Sequence, residues 1–184
     1  MDSTLELRQP TVALATSYFD MMDAAKAAGD MDQGYAVLDT KRPRDNPAAY
    51  VRRQVQMELG IDLHPGFVPM DTRWLVHRDR PDLVLGETRI RHTLSPMLEL
   101  EGGHVGYFIH PAHRGRGLGG VILQLALRVL AARGVSQVLI TCDTANEPSR
   151  RIIEKAGGQF AGFSTSPRRG VMVNRYWISI PVDR

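Results

Sequence analysis

The octapeptide HRGRGLGG, residues 113 to 120, stands directly before the apolar run VILQLALRVLAA. A glycine-rich turn entering a helix presents backbone N–H groups that have no partner inside the helix. They sit at the positive end of the helix dipole, where phosphate oxygens bind. Glycine lets the phosphate approach the backbone, and Arg114 and Arg116 can add charge-assisted contacts. A pyrophosphate fits this chemistry. Gly115, Gly117 and Gly120 also satisfy the spacing G-x-G-x-x-G, and Asp143 follows Gly120 at 23 residues, where a dinucleotide fold keeps its ribose-binding acid. Two features oppose that reading. HPAHR separates Ile109 from Gly115, and only 41 residues follow Asp143, too few to complete a doubly wound domain. A P-loop is excluded because no Gly-Lys-Ser/Thr follows.

The loop needs a strand before it and a helix after it. HVGYFIH, residues 104 to 110, reads as the strand. From Leu118 the residues Val121, Ile122, Leu125, Val129 and Leu130 form a wide apolar face that Gly134 ends, a buried helix. VLIT, residues 138 to 141, reads as a strand of a sheet's interior. Asn146 is placed to cap a short helix, SRRIIEKA, with Pro148 in its first turn and Gly157 at its end. Upstream, residues 11 to 28 recur in apolar character at helical spacing and stop at Gly29, and residues 30 to 71 are less regular. They hold a helix over AAYVRRQVQMELG and a loop over HPGFVP. WLVHR, residues 74 to 78, and LVLGETRIRH, residues 83 to 92, read as strands joined by the turn DRPD, and TLSPMLELEGG as a loop. GQFAGF and NRYWISIPV supply the last strands. The order predicts one α/β domain with a mixed, mostly antiparallel central sheet flanked by helices.

The chain has 184 residues and one cysteine, Cys142, which rules out an intrachain disulfide and fits a reducing compartment. MDSTLELRQP lacks the apolar core of a secretory signal, and no apolar stretch approaches the roughly 20 residues of a membrane span. A cytoplasmic protein without membrane contact is expected. The net charge of +3 is mild, so a nucleic-acid partner is not expected. The local basic pairs Arg114/Arg116, Arg150/Arg151 and Arg168/Arg169 suit a small polyanion better than a duplex, or else form a solvated surface.

IHPAHRGRGLGGVILQLAL resembles the acetyl-CoA motif of the GNAT superfamily of N-acetyltransferases, Arg/Gln-x-x-Gly-x-Gly/Ala, with Arg114, Gly117 and Gly119 at its fixed positions. TCDTANEPSRRIIEKAGG resembles the family's next strand, its asparagine and the following helix. The clear likeness spans residues 74 to 163. WLVHR, the RH of IRH, GGHVGY and RYW extend it toward a poorly characterised bacterial branch, with residues 1 to 73 as an N-terminal helical part and 164 to 184 as C-terminal strands. The resemblance implies a splayed strand pair that holds pantetheine. Ile109, His110 and Pro111 would flank the pantetheine, Arg114, Gly115, Arg116, Gly117, Leu118 and Gly119 would wrap the pyrophosphate, and Asn146 would reach the same arm or serve as a plain helix cap. It implies acetyl-CoA as donor and a small-molecule or peptide amine as acceptor, attacked directly in a ternary complex without a metal, and it leaves room for a homodimer.

Acetyl transfer to an amine needs a route for the amine proton, a donor to the thioester oxygen and an acid for the leaving thiolate. The resemblance would put a glutamate at position 141 and a tyrosine at position 153, where this chain has Thr141 and Ile153. Glu87 and His104 are the candidates for proton removal, with His92 a further relay. Tyr107 and Tyr176 are candidates for the acid. Glu87 reads equally as a partner of a nearby arginine, and both histidines as structural. Cys142 is a weaker candidate as an acetyl carrier, because the following acid raises its pKa. The missing pair keeps an alternative open, an acyl-CoA-binding module of the same fold without turnover.

Overall fold

The computed structural model describes residues 4–30 and 44–181. Residues 31 to 43 of the irregular upstream stretch, and Val182 of the last predicted strand, lie outside the described residues. Two antiparallel sheets make up the fold. The first runs in the order β1 (Leu5–Arg8), β2 (Met70–His77), β3 (Arg80–Arg91), β4 (Val105–Ile109). The second runs β5 (Gln137–Asp143), β7 (Met172–Ser179), β6 (Gln159–Thr165). This is the mixed, largely antiparallel α/β architecture that the sequence predicts.

Helices cover both faces. On one, α1 (Val12–Ala27) buries Leu14, Ala15, Tyr18, Phe19, Met21 and Ala25, a helical stripe that meets Trp74, Val76 and Val84. Tyr18 stacks on Trp74 with ring centroids 4.6 Å apart and on Tyr50 of α2 (Pro47–Glu58) at 5.4 Å. Asn46 caps α2 by accepting from the Ala49 N–H at 3.0 Å, with Pro47 in the first turn. On the opposite face α4 (Leu118–Ala132) inserts Leu123, Ala126, Leu127 and Leu130 among Ile90, Val105, Val138, Ile140 and Ile178, so one helix fastens both sheets. Burial of that cluster is the main attraction holding the sheets together. Among the described residues no helix is long and apolar enough to cross a membrane.

The sheets touch where β4 and β5 begin. The His104 N–H donates to the Leu139 carbonyl at 2.7 Å, and His104 Nδ1 accepts from the Leu139 N–H at 2.9 Å. Beyond this vertex the two strands do not pair, and a wedge opens between them. On β4, His104 and His110 bond by their backbones to β3. The pairing has no register shift, so alternation directs the backbone groups of Val105, Tyr107 and Ile109 into the wedge.

Four expectations change. VLIT is not interior: β5 ends its sheet, and its apolar character comes from burial by α4 and β7 rather than from strands on both sides. TLSPMLELEGG is not all loop, since Pro96–Leu100 form a short helix, α3, with proline in its first turn. The turn in DRPD lies earlier, because β3 already begins at Arg80. The N-terminal part is not only helical: LELR pairs as β1 with β2, and β2 starts at Met70.

Candidate active site

After Ile109 the chain makes a short 3-10 turn, Pro111–His113, capped by His110 Nδ1, which accepts from the Ala112 N–H at 3.1 Å. Burial and Arg114 lower the pKa of His110, and burial with His110 and Arg116 lowers that of His113. Both shifts favour the neutral ring. Gly117 then caps α4 with φ +78°, a left-handed conformation that a side chain rarely adopts. Gly119 faces α5 (Glu147–Lys155), where a Cβ would lie 2.7 Å from Ile152 Cδ1, the end of a flexible side chain that would turn aside. Arg114 is folded back on the protein. Its Nε donates to the Ile109 carbonyl at 3.2 Å, its Nη2 lies 2.7 Å from Asp30, and its guanidinium covers the Phe108 ring at 5.2 Å.

A cavity of about 770 Å³ lies against this loop, bounded by Ile109, Gly117, Gly119, Asn146 and Ile152 among others. A second, of about 130 Å³, lies across the wedge and is lined by Arg89, Arg91, Glu101, Thr141, Arg168 and Arg169. Tyr107, Asp143, Asn146 and Ser149 border both. At that junction the Tyr107 hydroxyl and Ser149 Oγ are hydrogen-bonded at 2.9 Å. Burial pushes the Tyr107 phenol up to about 12 despite the Ser149 bond, so it keeps its proton at neutral pH. Asn146 accepts from the Ser149 N–H at 3.1 Å and so caps α5 at the same border.

Ion pairs wall the smaller cavity. Arg169 grips Asp143 with two contacts of 2.6 Å and reaches Glu101 at 3.0 Å, while Arg168 lies 3.3 Å from Glu101. Burial works to raise the Glu101 carboxyl. The Ser166 hydroxyl and the two arginines outweigh it and hold that pKa below the ordinary value.

Residues 4–159 match the model of the GNAT acetyltransferase domain. The chain belongs to the GNAT acetyltransferase family. Its acetyl donor is accordingly acetyl-CoA. Among curated proteins no sequence match is significant. Solved structures share the fold at low identity. RimL, a ribosomal L7/L12 α-N-protein acetyltransferase, superposes with a TM-score of 0.69 at 17% identity, over 97% of this chain and 92% of its own. An acetyl transferase from Salmonella typhimurium that modifies the N-terminal serine of L7/L12 gives 0.70 at 17%, over 98% and 97%. The microcin C7 self-immunity acetyltransferase MccE, in complex with acetyl-CoA and AMP, gives 0.71 at 12%, over 97% and 94%.

Within this GNAT domain the expected loop residues fall into two groups. Ile109, Arg114, Gly115, Gly117, Leu118, Gly119 and Asn146 line the larger cavity, whereas His110, Pro111 and the exposed Arg116 are not among its lining residues. Glu87 and His104 line neither cavity. Glu87 is buried beneath α1, where its Oε1 accepts from Arg89 Nε at 2.8 Å. His104 is buried at the vertex, and burial lowers its pKa. His92 lies 3.3 Å from buried Asp71, and the Tyr176 hydroxyl reaches Glu154 at 3.4 Å. Tyr107 is the proton-transfer candidate that borders both cavities. Cys142 lines the smaller cavity, and burial raises its thiol. Thr141 anchors the segment after α3, its Oγ1 accepting from the Gly102 N–H at 2.8 Å, and Ile153 is buried in the core. Sequence reasoning missed Ser149, Glu101, Arg89 and Arg91 as lining residues. Ser149 had a local signal, its place three residues after a capping asparagine, and Arg91 stood in the RH pair of the family likeness.

Proposed function

We propose that this chain transfers an acetyl group from acetyl-CoA to a primary amine by direct attack in a ternary complex. The observation that carries the reading is the pair of cavities meeting at Tyr107, Asp143, Asn146 and Ser149. The donor's pyrophosphate would lie against the backbone N–H groups of Gly115 to Gly119, and its pantetheine along the outward-facing backbone of β4, as an added strand does. The amine would enter from the arginine-lined side. Its nitrogen attacks the thioester carbon, forming the C–N bond, and the C–S bond then breaks. The Tyr107–Ser149 pair supplies a proton to the leaving thiolate and recovers one from water. The proton lost by the nitrogen passes to water.

Glu87 and His104 serve in this scheme as positioning residues. Glu87 fixes Arg89, and His104 pins the wedge at its vertex. The high pKa of Cys142 argues against an acetyl-cysteine intermediate. A single buried cysteine supports a reducing compartment such as the cytoplasm. The α-N-protein acetyltransferase RimL, which shares the fold, supports an amine acceptor here.

One observation favours a binding module instead: Thr141 and Ile153 are committed to anchoring and packing where the family likeness would put a base and an acid. A thiol-release assay over a panel of primary amines, with CoA affinity measured by calorimetry, decides between them. Amine-dependent CoA release is expected. Tight CoA binding without release on any amine would overturn the enzymatic reading.

A further inference from the structure

The smaller cavity is unusual in its charge. Four arginines, Arg89, Arg91, Arg168 and Arg169, line it against two carboxylates, Glu101 and Asp143. Counting Glu87, which lies behind Arg89, still leaves an excess of positive charge. Burial disfavours a further charge on His104. Within this set the arginines have different tasks. Arg169 is spent on Asp143 and Glu101, and Arg89 is held by Glu87. Arg168 makes longer contacts of 3.3–3.5 Å to Glu101 and keeps its side chain 40% exposed. Arg91 Nη1 donates to the Gly103 carbonyl at 3.2 Å.

A cavity of this sign repels an ammonium ion unless the same molecule brings compensating negative charge. Its volume of about 130 Å³ is also below the roughly 300–1,000 Å³ of a drug-sized ligand site, so the acceptor, or the part that enters, is short. Resting on the reading of the chain as an amine acetyltransferase, we propose that its acceptor carries a carboxylate or phosphate a few bonds from the amine, held in this arginine-lined cavity with Arg168 as its main partner. Guanidinium groups match both oxyanions with paired N–H donors.

The test uses amine pairs that differ only in the anion: β-alanine against β-alaninamide, phosphoethanolamine against ethanolamine, and Ser-Glu amide against Ser-Gln amide for a peptide source. CoA release is measured for each, and binding to the CoA-loaded protein by calorimetry. The anionic member of at least one pair should lead by about tenfold in both kcat/KM and affinity, as a charge-assisted contact allows. Arg168→Gln should narrow that lead severalfold and Arg168→Lys should retain most of it, with CoA titration into the larger cavity reporting that both variants fold. Equal behaviour in every pair, or a preference for the uncharged member, would overturn the inference and leave acetyl transfer standing. Selective binding without CoA release would overturn the transferase reading and leave the anion site standing. A lead unchanged in Arg168→Gln would remove the assignment to that residue, and failure of every amine to bind or react would overturn both readings.

Discussion

The two cavities are built in opposite ways. The larger is built on local backbone geometry: the end of β4, the eight-residue connection over residues 110–117 and the first turns of α4 and α5 define it, with Gly117 at a left-handed angle. The smaller is mostly side chain, assembled from β3, the segment after α3, β5 and the connection before β7 through ion pairs spanning 26 to 68 residues of sequence. A backbone site fixes the position of one constant ligand and tolerates exposed side-chain changes. A charged side-chain site can be retuned residue by residue, and it responds to salt and pH. A donor common to a family and an acceptor peculiar to one member would call for this division.

The largest effect should come from Gly117→Val. A β-branched residue at φ +78° strains the turn and fills the space before the helix amides, so CoA affinity should fall about 100-fold, on the order of 2–3 kcal/mol. Calorimetry with CoA and with pantetheine, which lacks the pyrophosphate, should show the loss concentrated in CoA. Equal losses would make the turn only a helix start.

On the other side, Arg169→Gln removes the partner of Asp143 and one partner of Glu101, and should destabilise the fold by about 2 kcal/mol, read as a lowered Tm. The pH dependence follows in sign. Glu101 has a folded pKa below its unfolded value, so its contribution is fully present above the unfolded value near 4.5 and is lost as pH falls through the folded one. Arg169→Gln should therefore lose less stability than the wild type between neutral and acid pH. A parallel loss would show that the ion pairs contribute nothing.

Ser149→Ala keeps the Asn146 cap, whose partner is a backbone N–H, and removes one hydroxyl at the junction. Turnover should fall about tenfold with CoA affinity near wild type. An unchanged kcat would leave Tyr107 or water as the acid. The smallest effect should be Arg116→Ala. Arg116 is exposed and lies outside the cavity lining, so CoA affinity should drop no more than about threefold, and the difference should vanish at high salt.

The same contrast explains what could be read from the chain. The turn in HRGRGLGG was legible because its geometry is set by consecutive residues and by what glycine permits. Asn146 was legible because a cap acts three residues away. The α4 stripe was legible because burial repeats with the helical period. Strand β1 was not: LELR has two inward leucines and exists only because it pairs with residues some 70 positions later. The burial of Glu87 beside Arg89 and the grip of Arg169 on Asp143 depend on tertiary contacts that leave no periodic trace, so Glu87 looked as suited to chemistry as to support. Thr141 and Ile153 were located from the sequence, but their tasks as loop anchor and core residue became clear only in the fold.

In the proposed reaction donor and acceptor meet at the border of the two cavities. A crystal structure with acetyl-CoA tests it without knowledge of the acceptor. The pyrophosphate should lie against the amides of Gly115 to Gly119, the pantetheine along β4, and the thioester at Tyr107 and Ser149, its acetyl group facing the arginine-lined cavity. Acetyl-CoA bound away from the wedge, or a thioester turned from the arginine-lined cavity, would contradict it.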